Sequence, residues 1–214
     1  MAPEATSSLL LPRLYAITDR EVARLSHLEQ VRALLTAGVR LIQLREKRLS
    51  ANEFYEEARA CVGLAHRAGA HLIINDRVDI ALASGADGVH LGQDDIPPEY
   101  ARRLMGEHRL IGLSTHTVDQ ALEADGLPVD YLAVGPIFPT YTGEKTFPVV
   151  GFDDLRKICS TVTKPVVAIG GIKLENATEV LGTRARTVAV ISGLVGVGNI
   201  EERARAFLSR VGND

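Results

Sequence analysis

Cysteine is scarce in this chain of 214 residues: only Cys61 and Cys159 occur. They are far apart and lack C-x-x-C spacing, and both fall in helical patterns. They therefore read as buried reduced thiols, and a cytoplasmic protein follows. No apolar run reaches transmembrane length, so no spanning helix is expected. Charge is nearly balanced at −3, which removes the electrostatic case for nucleic acid or an anionic membrane. Any anionic ligand must be drawn by local charge. The opening MAPEATSSLLLPR has no basic n-region and only the short apolar run Leu9–Leu11. It reads as a flexible tail over residues 1–12 rather than a secretory signal. No linker, low-complexity tract or second domain interrupts residues 13–212, a length that suits one α/β barrel.

Eight β-rich runs recur instead: LYAIT (14–18), LIQLRE (41–46), HLIIN (71–75), GVHLG (88–92), LIGLS (110–114), YLAVG (131–135), PVVAIG (165–170) and VAVIS (188–192). They are near-continuous apolar runs, the mark of a parallel sheet covered by helices. Between them lie amphipathic segments. Residues 51–66 carry Phe54, Ala58, Cys61, Val62 and Ala65 at helical spacing. Ser50 with Glu53, and Thr117 with Gln120, have capping-box spacing. The last segment puts Ile200, Phe207, Leu208 and Val211 on one face. The pattern predicts a single-domain (β/α)8 TIM barrel, with a doubly wound open sheet as the competing architecture.

In such barrels the active site lies at the C-terminal strand ends. Neighbouring strands are roughly 4.8 Å apart, so Asp76 after the third run and Asp95 after the fourth can share one small cation. Oxygen ligands of that kind suit Mg²⁺. Helix capping is the competing role for Asp76, with Arg77 as its partner, and a turn and cap before Pro97-Pro98 is the competing role for Gln93, Asp94 and Asp95. After the second run, alternation sends Gln43, Arg45 and Lys47 to one side, where a guanidinium fork and an ammonium could grip phosphate. A solvated charge run is the alternative. His90 reads as a core histidine. Ser114 could donate to phosphate oxygen, and His116 is an acid/base candidate on position alone.

The sixth run is followed by the longest loop, residues 135–151, where Thr140, Thr142 and Lys145 could meet a ligand. Gly170-Gly171 and Ile191-Ser192-Gly193 follow the seventh and eighth runs, the usual phosphate cradle of this fold. A diphosphate site near runs two to five and a phosphate cradle at runs seven and eight suit an enzyme that joins two phosphorylated molecules.

The blocks LYAITD, QLREK, LIINDRVDIAL, ADGVHLGQDD, LIGLSTHT, GPIFPTYT, VVAIGGI and VAVIS together resemble the thiamine-phosphate synthase family, from Leu14 to about Leu208. The resemblance implies a transferase that couples 4-amino-5-hydroxymethyl-2-methylpyrimidine diphosphate to 4-methyl-5-(β-hydroxyethyl)thiazole phosphate. Thiamine monophosphate and pyrophosphate would be the products, formed through a pyrimidinylmethyl cation. It also implies Mg²⁺ on Asp76 and Asp95. The pyrimidine diphosphate would lie on Gln43, Leu44, Arg45, Glu46, Lys47, Asn75 and Ser114. The thiazole phosphate would lie on Thr140, Tyr141, Thr142, Gly171, Ile191 and Ser192. Arg45, Lys47 and Ser114 would carry the catalytic charge and hydrogen bonds, with Lys145 expected to swing back in place of a family lysine absent from this chain. The chain departs from the family where T-x-T-K is usual: Gly143 follows Thr142, and Lys145 lies two residues beyond it. The expected partners are these two small molecules, with no nucleic acid and no membrane; a homodimer is left open. A thiazole tautomerase using His116, and a binding protein without catalysis, are the competing functions.

Overall fold

A computed structural model of the chain describes residues 11–140, 142 and 147–212. Eight strands form a closed parallel barrel in sequence order. They are β1 (Leu14–Asp19), β2 (Leu41–Arg45), β3 (His71–Asn75), β4 (Gly88–Leu91), β5 (Leu110–Thr115), β6 (Tyr131–Val134), β7 (Val166–Ile169) and β8 (Thr187–Val190). Tyr15 of β1 pairs with Ala189 of β8, and this closure rules out the doubly wound sheet. The strands agree with the eight apolar runs to within two residues at either end.

Each strand has two buried faces, and that is why its sequence hardly alternates. The outward residues Ile42, Leu44, Leu72, Ile74 and Val89 pack beneath the helices. The inward residues Tyr15, Ile17, Leu41, Ile73, Tyr131, Ala133, Val167 and Ala189 fill the barrel. Leu11 joins this inner cluster from the N-terminal end. The carbonyls of Leu11 and Pro12 accept from Arg186 Nε and Thr187 Oγ1, each at 2.7 Å. These two residues, expected in the tail, are packed against the barrel.

The helix Ala51–Arg67 buries the five residues its periodicity selects. Burial of a side chain such as Phe54 is worth about 1.5–3 kcal/mol. Its capping box forms as expected, with Ser50 Oγ accepting from Glu53 N and the Glu53 carboxylate accepting from Ser50 N at 3.0 Å. The second capping box is only half made. Thr117 Oγ1 accepts from Gln120 N, but Gln120 Oε1 takes the amide of His116 at 2.8 Å. The extra residue of reach ties this helix to the end of β5 rather than to its own cap. Cys61 is buried and Cys159 half-buried, both free. Burial pushes their thiols up to about 12 and about 11. No described helix is long and apolar enough to cross a membrane.

Candidate active site

Parallel strands bring every strand end to one mouth. At the ends of β3 and β4, Asp76 and Asp95 lie close enough for the charge of one to act on the other. Burial, and then the neighbouring Asp76 charge, raise the pKa of Asp95. Asp76 adopts φ 62°, a left-handed conformation uncommon outside glycine. Its amide donates to His90 O at 2.8 Å, so the strand pairing itself turns the side chain into the mouth. The competing helix caps are not made, although Gln93 and Asp94 do form the expected turn. The helix Val78–Ser84 starts on Arg77 and the helix Pro98–Met105 on Pro97, neither with a side-chain cap. Arg77 pairs with Asp79 instead, at 2.5 Å. Asp95 Oδ2 accepts from Gly92 N at 2.7 Å, which holds one oxygen and orients the carboxyl. Lys47 Nζ lies 2.8 Å from Asp76 Oδ2. Among the described residues no group of three or more potential ligands forms.

The QLREK segment divides between the mouth and its support. Gln43 faces inward and its Nε2 donates to Tyr15 OH at 2.8 Å. Arg45 Nη1 pairs with Asp19 Oδ2 at 2.5 Å, and Asp19 Oδ1 in turn caps the amides of Glu21 and Val22. One edge of the guanidinium is therefore anchored. Two of the expected ligand residues point elsewhere. The Leu44 side chain lies in the layer under the helices. Glu46 folds back on its own loop, where Oε1 accepts from the amides of Lys47, Arg48 and Leu49 at 2.7, 2.6 and 3.1 Å. Its Oε2 meets His27 Nε2 at 3.2 Å, and His27 Nδ1 meets Thr18 Oγ1 at 2.7 Å. Burial raises the pKa of Glu46, but the amides and His27 outweigh it and the carboxyl ends below the ordinary range. Glu46 is a brace for the segment that carries Lys47.

Asn75 lies beside His90 in the β3–β4 register. His90 is a core histidine, as expected, and it also touches the site. Its Nε2 is 2.9 Å from Ser114 Oγ and its Nδ1 3.1 Å from Tyr131 OH. Burial pushes its pKa down to about 4, so the ring is neutral. Gln93 Nε2 donates to Ser114 O at 2.6 Å, which ties the β4 turn to β5. Asp94 is exposed. His116 is committed to the loop after β6: its Nδ1 donates to Gly135 O at 2.7 Å and its ring stacks on Phe147 at 3.5 Å.

Across the mouth, Thr142 Oγ1 donates to Ser192 Oγ at 3.4 Å, joining the β6 and β8 loops. Gly171, at φ 65°, sits where a Cβ would lie 2.6 Å from Phe138 Cβ and 2.8 Å from Pro139 O. Only glycine lets the β7 end approach that loop so closely. Ile191 precedes the short helix Ser192–Val195, and Thr140 is half-buried. Tyr141 and Lys145 lie outside the described residues.

Sequence reasoning passed over Asp19, His27, Tyr15 and Tyr131. Asp19 directly follows LYAIT, and the strand-end rule applied to β1 would have found it. No sequence signal distinguished the two tyrosines or His27 from ordinary core.

A family model described as thiamine monophosphate synthase matches residues 14–194. The chain is 45% identical over 200 residues to thiamine-phosphate synthase of Chloroflexus aurantiacus, covering 93% of this chain and 92% of that protein. It is 42% identical over 202 residues to the synthase of Pelotomaculum thermopropionicum, covering 94% and 93%. Among solved structures, thiamine phosphate pyrophosphorylase from Pyrococcus furiosus matches with a TM-score of 0.86 at 39% identity, over 93% of this chain and 95% of that one.

Proposed function

Because the chain belongs to the thiamine monophosphate synthase family and is a transferase, we propose that it makes thiamine monophosphate from the pyrimidine diphosphate and the thiazole phosphate named above. The observation that carries this reading is the placing of Asp76 and Asp95 together at adjacent strand ends, with Lys47 2.8 Å from Asp76. Two carboxylates that crowd each other favour a divalent cation in place of a shared proton. Mg²⁺ takes one or two carboxylates and completes its shell with phosphate oxygens and water, so two protein ligands fit it. When bound, Mg²⁺ supplies charge against the leaving diphosphate.

The protein's own groups do the rest. Arg45, anchored on Asp19, and Lys47 hold diphosphate oxygens and stabilise charge as it develops. Ser114 donates to the same group, and Asn75 and Gln43 address the pyrimidine. The methylene C–O bond breaks and its electron pair leaves with the diphosphate. The thiazole nitrogen lone pair then forms the new C–N bond, so no protein nucleophile is needed. Thr140, Tyr141, Thr142, Gly171, Ile191 and Ser192 hold the thiazole phosphate. Lys145 supplies the loop charge that Gly143 lacks. A cytoplasmic setting belongs to the same reading, supported by two free cysteines.

The test is incubation with both substrates, with Mg²⁺ and with chelator. Thiamine phosphate should form only with the metal. No product from well-folded protein overturns the proposal.

A further inference from the structure

A continuous line of hydrogen bonds crosses the barrel interior. It runs from Gln43 Nε2 to Tyr15 OH at 2.8 Å, to Tyr131 OH at 3.1 Å, to His90 Nδ1 at 3.1 Å, and from His90 Nε2 to Ser114 Oγ at 2.9 Å. Its two ends are groups assigned above to the pyrimidine diphosphate. Its three middle members are buried and have no role in that assignment. The rings are fixed by packing: Tyr15 meets Tyr131 edge-on, and His90 stacks on Tyr131 at 5.6 Å. Gly112 leaves the space for the Tyr131 ring, because a Cβ there would overlap the ring and its hydroxyl.

Each tyrosine hydroxyl has one proton, and a neutral imidazole has one N–H. A single direction therefore leaves no proton stranded: a reversal at a tyrosine, whose oxygen can accept twice, would leave that hydroxyl's own proton without an acceptor in a dry interior. With Gln43 Nε2 donating to Tyr15, the direction is set throughout. Tyr15 donates to Tyr131, Tyr131 donates to His90 Nδ1, and His90 Nε2–H donates to Ser114. Ser114 keeps its own proton to give to a ligand. Among the described residues no donor reaches Gln43 Oε1, which remains an acceptor. The reverse direction needs the Gln43 amide turned over, and would set its NH₂ on the side of β2 that also carries Arg45. It would also tie the Ser114 proton to His90.

We propose that Tyr15, Tyr131 and His90 are positioning residues that couple Gln43 to Ser114, so that the site presents an acceptor at one end and a hydroxyl donor at the other. The inference rests on the proposed function in one respect: it takes the ligand to be a pyrimidine bearing an amino group and a diphosphate. An amino group would donate to Gln43 Oε1, and an anionic oxygen would accept from Ser114. Binding at either end then favours the direction that serves the other.

Two measurements test it. In ¹⁵N-histidine-labelled wild-type protein, with His90 assigned by its loss in His90→Gln, the free ring should be the Nε2–H tautomer. Tyr131→Phe should mix the tautomers. A His90 ring found as the Nδ1–H tautomer in wild type overturns the proposal, whatever the activity. Kinetically, Tyr131→Phe should lower kcat about tenfold with little change in the KM for the diphosphate. In a Ser114→Ala background the same substitution should lower kcat by less than about twofold. Equal losses in both backgrounds would mean that Tyr131 acts independently of Ser114 and would sink the coupling. If Tyr131→Phe does not fold, the wild-type tautomer decides alone. Absence of thiamine phosphate from wild type would defeat the proposed reaction, while the tautomer would still report on the relay.

Discussion

Asp95→Asn should make the metal-free protein more stable while it disables the site. The structure gives the sign. Asp95 lies near Asp76, and burial and that neighbouring charge raise its pKa. A carboxyl whose folded pKa is raised binds more protons in the folded state than in the unfolded one. Its favourable contribution is complete below the unfolded value and is lost as pH rises through the raised value. Once ionised, Asp95 stands against its acidic neighbour, a repulsion that asparagine would relieve. Like charges about 4 Å apart repel by ~1 kcal/mol in water and ~4 kcal/mol at an effective dielectric of 20. The pair is half-exposed and Lys47 sits 2.8 Å from Asp76, so the net gain belongs at the low end, about 1 kcal/mol. In a chain of this size that is a rise of roughly 2–4 °C in Tm. Asparagine keeps a carbonyl for the Gly92 amide, so little else is lost. Thermal melts with chelator at pH 7.5 should show the gain, and it should shrink as the pH is lowered and wild-type Asp95 takes up its proton. Added Mg²⁺ should then raise the Tm of wild type and leave Asp95→Asn nearly unmoved. A lower Tm for the variant in chelator, or equal stabilisation of both proteins by Mg²⁺, would refute the reasoning.

Gly112→Ala drives a methyl into Tyr131 and should destabilise by about 3 kcal/mol in urea unfolding; a near-neutral change would show that the barrel interior can yield. Glu46→Ala strips three amides of their acceptor and should destabilise by about 2 kcal/mol and raise the KM for the diphosphate. The pKa of Glu46 is lowered, so its contribution should be intact at neutral pH and fade as pH falls below the usual glutamate range. Arg45→Lys cannot reproduce a guanidinium fork that pairs with Asp19 and, in the proposed reaction, also grips the diphosphate; kcat/KM should fall by about 10–100-fold. For Lys145→Ala, turnover at saturating substrates should drop; unchanged turnover would shift the missing loop charge onto Arg45 and Lys47.

The barrel was legible because its signals are local. A strand buried on both faces is apolar throughout, and a helix packed on it repeats apolar residues at 3.6 spacing; both patterns can be counted along the chain. The strand-end rule then brought Asp76, Asp95, Arg45, Lys47 and Ser114 to one mouth. The rule also overreached, because a position at a strand end says nothing of where a side chain turns. Glu46 stands between Arg45 and Lys47 in sequence, yet three amides of its own loop and His27 hold it away from the mouth. Gln120 had the spacing of a capping box and capped the neighbouring residue instead.

From the residues alone came the periodicity, the order of the units and the chemistry available at each strand end. Tertiary structure decided which of those groups meet. Tyr15 and Tyr131 are 116 residues apart and were plain apolar-run members until closure of the barrel set their hydroxyls against each other. The same closure turned His90 from core filling into a link between Tyr131 and Ser114. Hydrophobic burial is set by composition over short windows, so sequence predicts it well. A hydrogen bond depends on direction and on distances of about 3 Å, and those exist only once the strands have taken their register.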